Sequence, residues 1–307
     1  MELRVLRYFL AVAREESITG AANYLHLTQP TLSRQIRDLE EELGQKLIVR
    51  GSHRTSLTAE GMLLRKRAEE IVAMADKTEE EFRAMRGQLS GDVYIGSGET
   101  VAMDLIAEVC REIQEAYPGV RWHLYSGNAE DVTERLDKGL LDFGVLIQPT
   151  DITRYNYLHV PAKDRWGVLV RKDHPLAGKA SVTAADLVPH PLLFSRQVLE
   201  NRARANDVMR WFGEDWNRLR IVATYNLFYN AAAMARQGLG CVVSLEHLAD
   251  TSDESPLCFR PLSPALESGL DVVWKKYQVF SSAAELFLDR LRARFAEEEA
   301  APAAPVS

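Results

Sequence analysis

Three short apolar patterns of helical period, packed into the first 44 residues, constrain this chain more than any other feature. Leu3, Leu6, Phe9, Leu10 and Ala13 fall on one helical face. Ser17 is placed to cap a second helix whose Ile18, Ala21, Ala22 and Leu25 recur at i, i+3, i+4 and i+7. His26, Leu27 and Thr28 leave only a tight connection before a third helix, which Thr28 caps. In it Leu32, Ile36, Leu39 and Leu43 turn inward, and Gly44 supplies a stop.

The pattern sends Gln29, Pro30, Thr31, Ser33, Arg34 and Arg37 outward from that third helix. Hydroxyls and Gln reach base edges, Arg forks onto guanine, and a helix N-terminus favours phosphate, so the group suits a DNA major groove. Any one of them alone would be an ordinary solvated side chain. Leu47-Ile48-Val49-Arg50 and Thr55-Ser56-Leu57 flank Gly51-Ser52-His53-Arg54, the pattern of a hairpin wing. Such a wing carries Arg50, His53 and Arg54 toward the phosphate backbone. Charge agrees: residues 1–67 hold 11 Lys/Arg against 8 Asp/Glu, whereas the whole chain has a net charge of −7. A DNA-facing segment on an acidic body is expected.

Several quoted stretches then fall into one register. Ala21-Ala22, Leu25-His26-Leu27-Thr28-Gln29-Pro30, Leu32-Ser33-Arg34-Gln35-Ile36, Leu39-Glu40-Glu41-Glu42-Leu43-Gly44 and Leu57-Thr58-Ala59-Glu60-Gly61 resemble the DNA-binding domain of LysR-type transcriptional regulators. Ile18 and Ile48 stand where that family commonly has Phe, and Gly20 where a larger residue is usual; none of these removes a DNA-facing side chain. Gly20 should weaken the second helix by about 1 kcal/mol.

Thr58 can cap a long helix reaching about Met85, with Leu64, Ala68, Ile71, Ala75, Thr78, Phe82 and Met85 spaced as a heptad seam. The seam packs either on its own chain or on a partner. The resemblance implies the partner: a homodimer, and from the family a homotetramer, presenting paired recognition helices to double-stranded promoter DNA, with RNA polymerase as a further contact.

Beyond Gly87 strands alternate with helices. Val93–Ile95, Val120–Tyr125 and Leu141–Ile147 read as strands around helices Thr100–Tyr117 and Asn128–Lys138. A second run has strands Trp166–Val170, Leu192–Phe194, Ile221–Thr224 and Cys241–Leu245, with helices near Val198–Phe212 and Leu227–Gln237. Asp271–Trp274 and a helix Ser282–Phe295, opened by a Ser282/Glu285 capping box, return to the first lobe. The fold class expected is therefore α/β with an N-terminal winged helix-turn-helix, a long linker helix and a two-lobed effector domain. That domain resembles periplasmic binding proteins. The divisions are residues 1–57, 58–87 and 88–296, with lobe I at 88–161 and 268–296 and lobe II at 162–267. The Glu-, Ala- and Pro-rich tail 297–307 is expected to be disordered.

Ligands of open α/β sheets bind beyond the carboxyl ends of strands. That rule nominates Ser97, Gly98, Glu99, Thr100 and Gln148 on one lobe and Ser195, Arg196, Tyr225 and Asn226 on the other, where the resemblance also implies an effector cleft. Arg196 and a helix N-terminus suit a small carboxylate; Glu99 suits a cation or donor; Tyr225, Phe228 and Tyr229 hint at an aromatic ligand or simply a core.

Enzyme chemistry finds no footing. Gly96-Ser97-Gly98 is a partial dinucleotide turn lacking its third small residue, and no G-x-S-x-G elbow, Walker loop or His-Glu-x-x-His helix occurs. No cofactor or metal is expected. Cys110, Cys241 and Cys258 form no close pair, which fits a reducing, cytoplasmic setting. Neither a signal peptide nor an apolar stretch of membrane-spanning length is read, so no membrane partner is expected.

Overall fold

The computed structural model describes residues 1–50, 55–84, 89–200 and 207–300. The chain divides into two compact units between Arg83 and Ala84. The first unit runs α1 (Leu3–Glu15), α2 (Ile18–Tyr24), α3 (Gln29–Leu43), β1 (Ile48–Arg50), β2 (Thr55–Leu57) and α4 (Ala59–Ala84). Leu6, Phe9, Ala21, Leu32, Ile36, Leu39 and Leu47 are buried together, so the helical stripes meet as their spacing requires. Ser17 Oγ accepts the Gly20 N–H at 3.1 Å, and Thr28 Oγ1 accepts that of Thr31 at 3.4 Å. Between α2 and α3, His26 takes a left-handed φ of 54°, which lets the Leu27 N–H reach the Ala22 carbonyl at 2.8 Å. Gly44 ends α3 with φ 65°. β1 and β2 pair antiparallel, Val49 opposite Ser56.

Thr58 fixes the start of α4 twice: its hydroxyl donates to the Lys46 carbonyl at 2.7 Å and accepts the Gly61 N–H at 2.9 Å. The heptad seam is corrected here. Leu64 and Ala68 pack into the first unit's own core, joined by Val72, which the seam omits. Ile71 and Thr78 are exposed. At about 100° per residue Leu64 and Val72 flank Ala68 by about 40° on either side, which centres the core-facing arc on Ala68 and leaves Ile71 about 60° away from it, outside that core. Met85 and the Phe82 side chain lie outside the described residues.

In the second unit β3 (Gly91–Ser97), α5 (Met103–Ala116), β4 (Val120–Ser126), α6 (Ala129–Asp137) and β5 (Phe143–Ile147) form lobe I. The long β6 (Tyr155–Arg171) leads into lobe II. There α7 (Ala184–Leu187), β7 (Pro191–Ser195), α8 (Arg196–Glu200), α9 (Asp207–Phe212), β8 (Arg220–Tyr225), α10 (Phe228–Arg236), β9 (Cys241–Leu245) and β10 (Leu257–Pro261) follow. β11 (Glu267–Lys275) returns and α11 (Ser282–Ala300) closes the chain. The strand order is β4-β3-β5-β11-β6-β9-β7-β8, with β10 also on β6. Each lobe has a parallel trio whose first strand lies in the middle: β3 between β4 and β5, β7 between β8 and β9. Val93, Ile106, Phe143 and Phe287 anchor one core, and Val168, Leu192, Phe194 and Val243 the other.

β6 and β11 run antiparallel across both lobes, and their register shifts between Gly269 and Asp271. Val160, Pro161 and Ala162 there oppose the single residue Leu270, a bulge that Pro161 favours because it lacks an N–H for the ladder. The strand expected at Trp166–Val170 is thus the second half of a much longer one. Two further expectations are corrected. Ser281, not Ser282, caps α11, since its Oγ accepts the Ala284 N–H at 3.2 Å; Glu285 then falls one position too late for a capping box. The helix also continues through the supposed tail to Ala300, helped by the Arg294–Glu298 pair at 3.2 Å. Residues 301–307 lie outside the described residues.

Two glycines distinguish tolerance from close approach. A Cβ on Gly61 would stand 2.0 Å from the Leu47 carbonyl oxygen, whereas one on Gly20 meets nothing nearer than 3.4 Å. Gly61→Ala is expected to lower the unfolding free energy by about 2 kcal/mol or more through overpacking. Gly20→Ala should raise it by about 0.5–1 kcal/mol through helix propensity; urea titration of the two variants checks both signs.

Candidate nucleic-acid interface and effector cleft

The N-terminal half of α3 presents Gln29, Pro30, Thr31, Arg34 and Arg37 as exposed side chains. Arg34 lies a loose 3.9 Å from Asp38, both largely solvated, a pairing worth little and easily exchanged for phosphate or a base. Ser33 is corrected: it is buried. It sits three and seven residues before Ile36 and Glu40, hence on the inward stripe. Arg50 ends β1, while His53 and Arg54 lie outside the described residues.

A residue that pattern alone did not single out holds this surface together. Glu40, on the inner side of α3, is 6% exposed. Its Oε1 accepts the Leu47 N–H at 2.9 Å and the Ile48 N–H at 3.3 Å, and its Oε2 meets Lys46 Nζ at 2.8 Å. Burial by itself would raise its pKa; the Lys46 ammonium and the two amides together outweigh burial and hold it below the ordinary carboxylate value. The recognition-type helix is thereby clamped to the root of the wing. An acidic residue in a Leu-Glu-Glu-Glu-Leu run reads as surface; only the 3.6-residue step from Ser33 and Ile36 would have turned it inward.

In the second unit a cavity of about 90 Å³ lies between the lobes. Of the residues nominated from strand ends, Gly98, Glu99, Gln148, Ser195, Tyr225 and Asn226 line it, and Ser97, Thr100 and Arg196 do not. Ser97 is buried and its hydroxyl donates to the Gly98 carbonyl at 2.7 Å. Thr100 Oγ1 accepts the Ala102 N–H at 3.1 Å in the turn that precedes α5, whose N-cap position is Ala102 and carries no side-chain cap. Arg196 is exposed at the start of α8. Lining residues not foreseen include Asn128, Trp166, Gln197, Leu245 and Ser268, while Phe228, read as either a ligand contact or core, lines it too. The strand-end rule, applied to β4 and β9, would have found Asn128 and Leu245; Trp166 and Ser268 sit on the crossing strands, where that rule does not look.

Among the described residues, two of the bonds that span the cleft each meet the first amide of a helix from the opposite lobe. The Glu99 carboxylate accepts the Phe228 N–H of α10, and Gln197 Oε1 accepts the Ala129 N–H of α6 at 3.4 Å. Tyr225 turns its hydroxyl away to the Val243 carbonyl at 2.7 Å; burial, then the Glu99 charge, push its pKa up.

Cys110 and Cys241 are poor nucleophiles. Burial pushes the thiols of Cys110 and Cys241 up to about 12. His174 Nε2 lies 3.6 Å from the Cys241 sulfur, but its Nδ1 accepts the Leu176 N–H at 3.2 Å. Burial and then the neighbouring His190 lower the His174 pKa, favouring the neutral ring. Its one proton then sits on Nε2, facing the sulfur, so it cannot serve as a base toward that thiol.

A winged helix-turn-helix and a two-lobed α/β body with an interlobe cleft, in one chain, define a DNA-binding transcriptional regulator with an effector-binding domain. Residues 3–62 match the family model described as bacterial regulatory helix-turn-helix protein, lysR family, and residues 86–296 match that of the LysR substrate binding domain. The chain belongs to the LysR family. It is 28% identical over 301 residues to the uncharacterized HTH-type transcriptional regulator YvbU of Bacillus subtilis, covering 97% of this chain and 100% of YvbU. It is 30% identical over 277 residues to the Hca operon transcriptional activator HcaR of Escherichia coli, covering 90% and 92% of the two chains. The fold is that of full-length CbnR crystallised with its target DNA, with a TM-score of 0.74 at 20% identity over 96% of this chain and 100% of CbnR.

The Glu40 clamp carries a signed pH dependence. Its folded-state pKa is lowered, so its stabilisation is present above the ordinary carboxylate value and is lost as pH falls through the folded value. Glu40→Gln is expected to lower stability at pH 7 by about 1–3 kcal/mol. The gap between parent and variant should close on acidification below that range; urea unfolding at several pH values measures it.

Proposed function

We propose that Gln29, Pro30, Thr31, Arg34 and Arg37 read promoter DNA in the major groove, with the wing residues Arg50, His53 and Arg54 on the phosphate backbone. The observation that carries this is the exposure of all five α3 side chains around a capped helix N-terminus that Glu40 locks to the wing. The molecule acts as a homodimer through the linker of residues 58–87, assembling further into a tetramer. Support comes from α4, where Met62, Leu63 and Ile71 are exposed beside the stripe that its own core consumes. Residues 88–296 sense a small-molecule effector in the interlobe cleft, and closure there changes the spacing of the DNA-binding units. RNA polymerase is the further partner of the bound regulator.

The protein works in the cytoplasm and catalyses no reaction. The buried thiols and the orientation of His174 support the latter. No helix among the described residues is long and apolar enough to cross a membrane.

Arg34→Ala is expected to relax base preference at one operator position, costing about 1–3 kcal/mol of discrimination. Arg37→Ala should weaken binding to all duplexes and reduce the salt slope by about one unit if it contacts phosphate. Footprinting and salt titration on the protein's own upstream region check both, and operator binding by both variants at the parent's strength and specificity would refute the assigned face.

A further inference from the structure

The cleft's polar groups discriminate between ligand charges, and this inference rests on the cleft being the effector site. Glu99 and Gln148 follow the ends of the neighbouring parallel strands β3 and β5, where Ser97 lies opposite Val145, and both line the cavity. Gln148 has a fixed orientation. Its Nε2 donates to Asp271 Oδ2 at 2.8 Å, and the other oxygen of Asp271 meets His159 Nδ1 at 2.5 Å. Asp271 is 1% exposed. A carboxylate only accepts, so the Gln148 amide cannot turn over while Asp271 is ionised. The atom left over is Oε1, which has no hydrogen-bond partner among the described residues. A Cβ on Gly269 would stand 2.8 Å from that oxygen, so the glycine keeps its place clear.

Two carboxylates line the cavity, Glu99 and Asp207, and Asp207 is already paired with the Arg210 guanidinium, so Glu99 sets the charge offered to a ligand. The first amide of α10, the group most apt to attract an anion, is already taken by its carboxylate. One N–H leaves that carboxylate further lone pairs for a ligand. Among the described lining residues there is no Lys, Arg or His. Asn128, Ser195, Gln197 and Asn226 are neutral and serve any headgroup, whereas Ile147, Val198 and Leu245 provide an apolar wall.

We propose that the cleft takes a compact cationic ligand rich in N–H donors, an amine, amidine or guanidine on a short apolar body, with Glu99 and the Gln148 carbonyl oxygen as its recognition acceptors and Asp271 as the residue that positions Gln148. A cavity of about 90 Å³ is smaller than the ~150 Å³ that accommodates benzene, so the body is smaller than a phenyl ring.

Three near-isosteric probes with one isopropyl body test this on the full chain by calorimetry: isobutyramidine, isobutyramide and isobutyrate. The amidine is expected to bind about tenfold more tightly than the amide, through a charge-assisted bond, and isobutyrate not to saturate. Glu99→Gln keeps an oxygen for the Phe228 N–H and should erase the amidine's advantage while sparing amide binding. Asp271→Asn frees the Gln148 amide to turn its N–H outward, and should raise isobutyrate relative to amide; a merely structural role would shift all three together. Isobutyrate binding tightest, or an amidine advantage undiminished in Glu99→Gln, overturns the ligand class while leaving the cleft as the effector site. Failure of all three probes to bind overturns the ligand class and removes support from the cleft reading as well.

Discussion

The DNA-binding unit depends on one buried carboxylate. A polar helix surface can dock in a groove in many orientations; it becomes a reading head only when a second contact element is fixed relative to it. Glu40 supplies that fixity by taking two wing amides and an ammonium from the inner side of the same helix that carries Arg34 and Arg37. Thr58 repeats the arrangement one element later, binding the Lys46 carbonyl and the Gly61 amide. Lys46 to Ile48 is therefore held from both sides. The segment between helix and wing is short, and nearly every polar group described in it has a partner inside the unit, as buried backbone demands.

In the second unit one sheet design occurs twice. Placing the first strand of each trio in the middle turns the carboxyl ends of β3 and β7 toward the cleft between the lobes. This is why Gly98 and Glu99 face Ser195 across a small cavity, though far apart in sequence. Helices α6 and α10 begin at the same cleft, and each finds its acceptor on the opposite lobe. The lobes are joined by the very bonds that a ligand entering between them must meet.

The helical parts of this fold were largely legible in the residues, because Ser17, Thr28 and Gly44 mark ends by local chemistry and the stripes they bracket are unambiguous. β6 was not. Tyr-Asn-Tyr-Leu-His-Val-Pro alternates imperfectly, and its pairing is with β11, more than a hundred residues away, a contact that no local pattern records. Ser33 reads as outward by its residue type although its phase puts it on the inward stripe, which Glu40 shares. Six of the nine residues nominated from strand ends line the cleft. Trp166, mid-strand in β6, and Ser268, at the amino end of β11, are not found by that rule, and Arg196 fell outside because chain proximity to a strand end does not fix where a long side chain goes.

The ladder between β6 and β11 has a further consequence. Two lobes joined by loose loops would swing freely, but here the connection is continuous hydrogen-bonded sheet, which resists bending and yields by torsion. Its register breaks at Val160–Ala162 opposite Leu270, where the bulged strand bends and its regular pairing is interrupted. The adjoining residues are Gly269, whose carbonyl accepts the Gln148 N–H at 2.9 Å, and Asp271, which grips the Gln148 side chain. The irregular point of the connector is thus one hydrogen bond away from a wall of the cavity, because Gly269 and Asp271 both hold the lining residue Gln148.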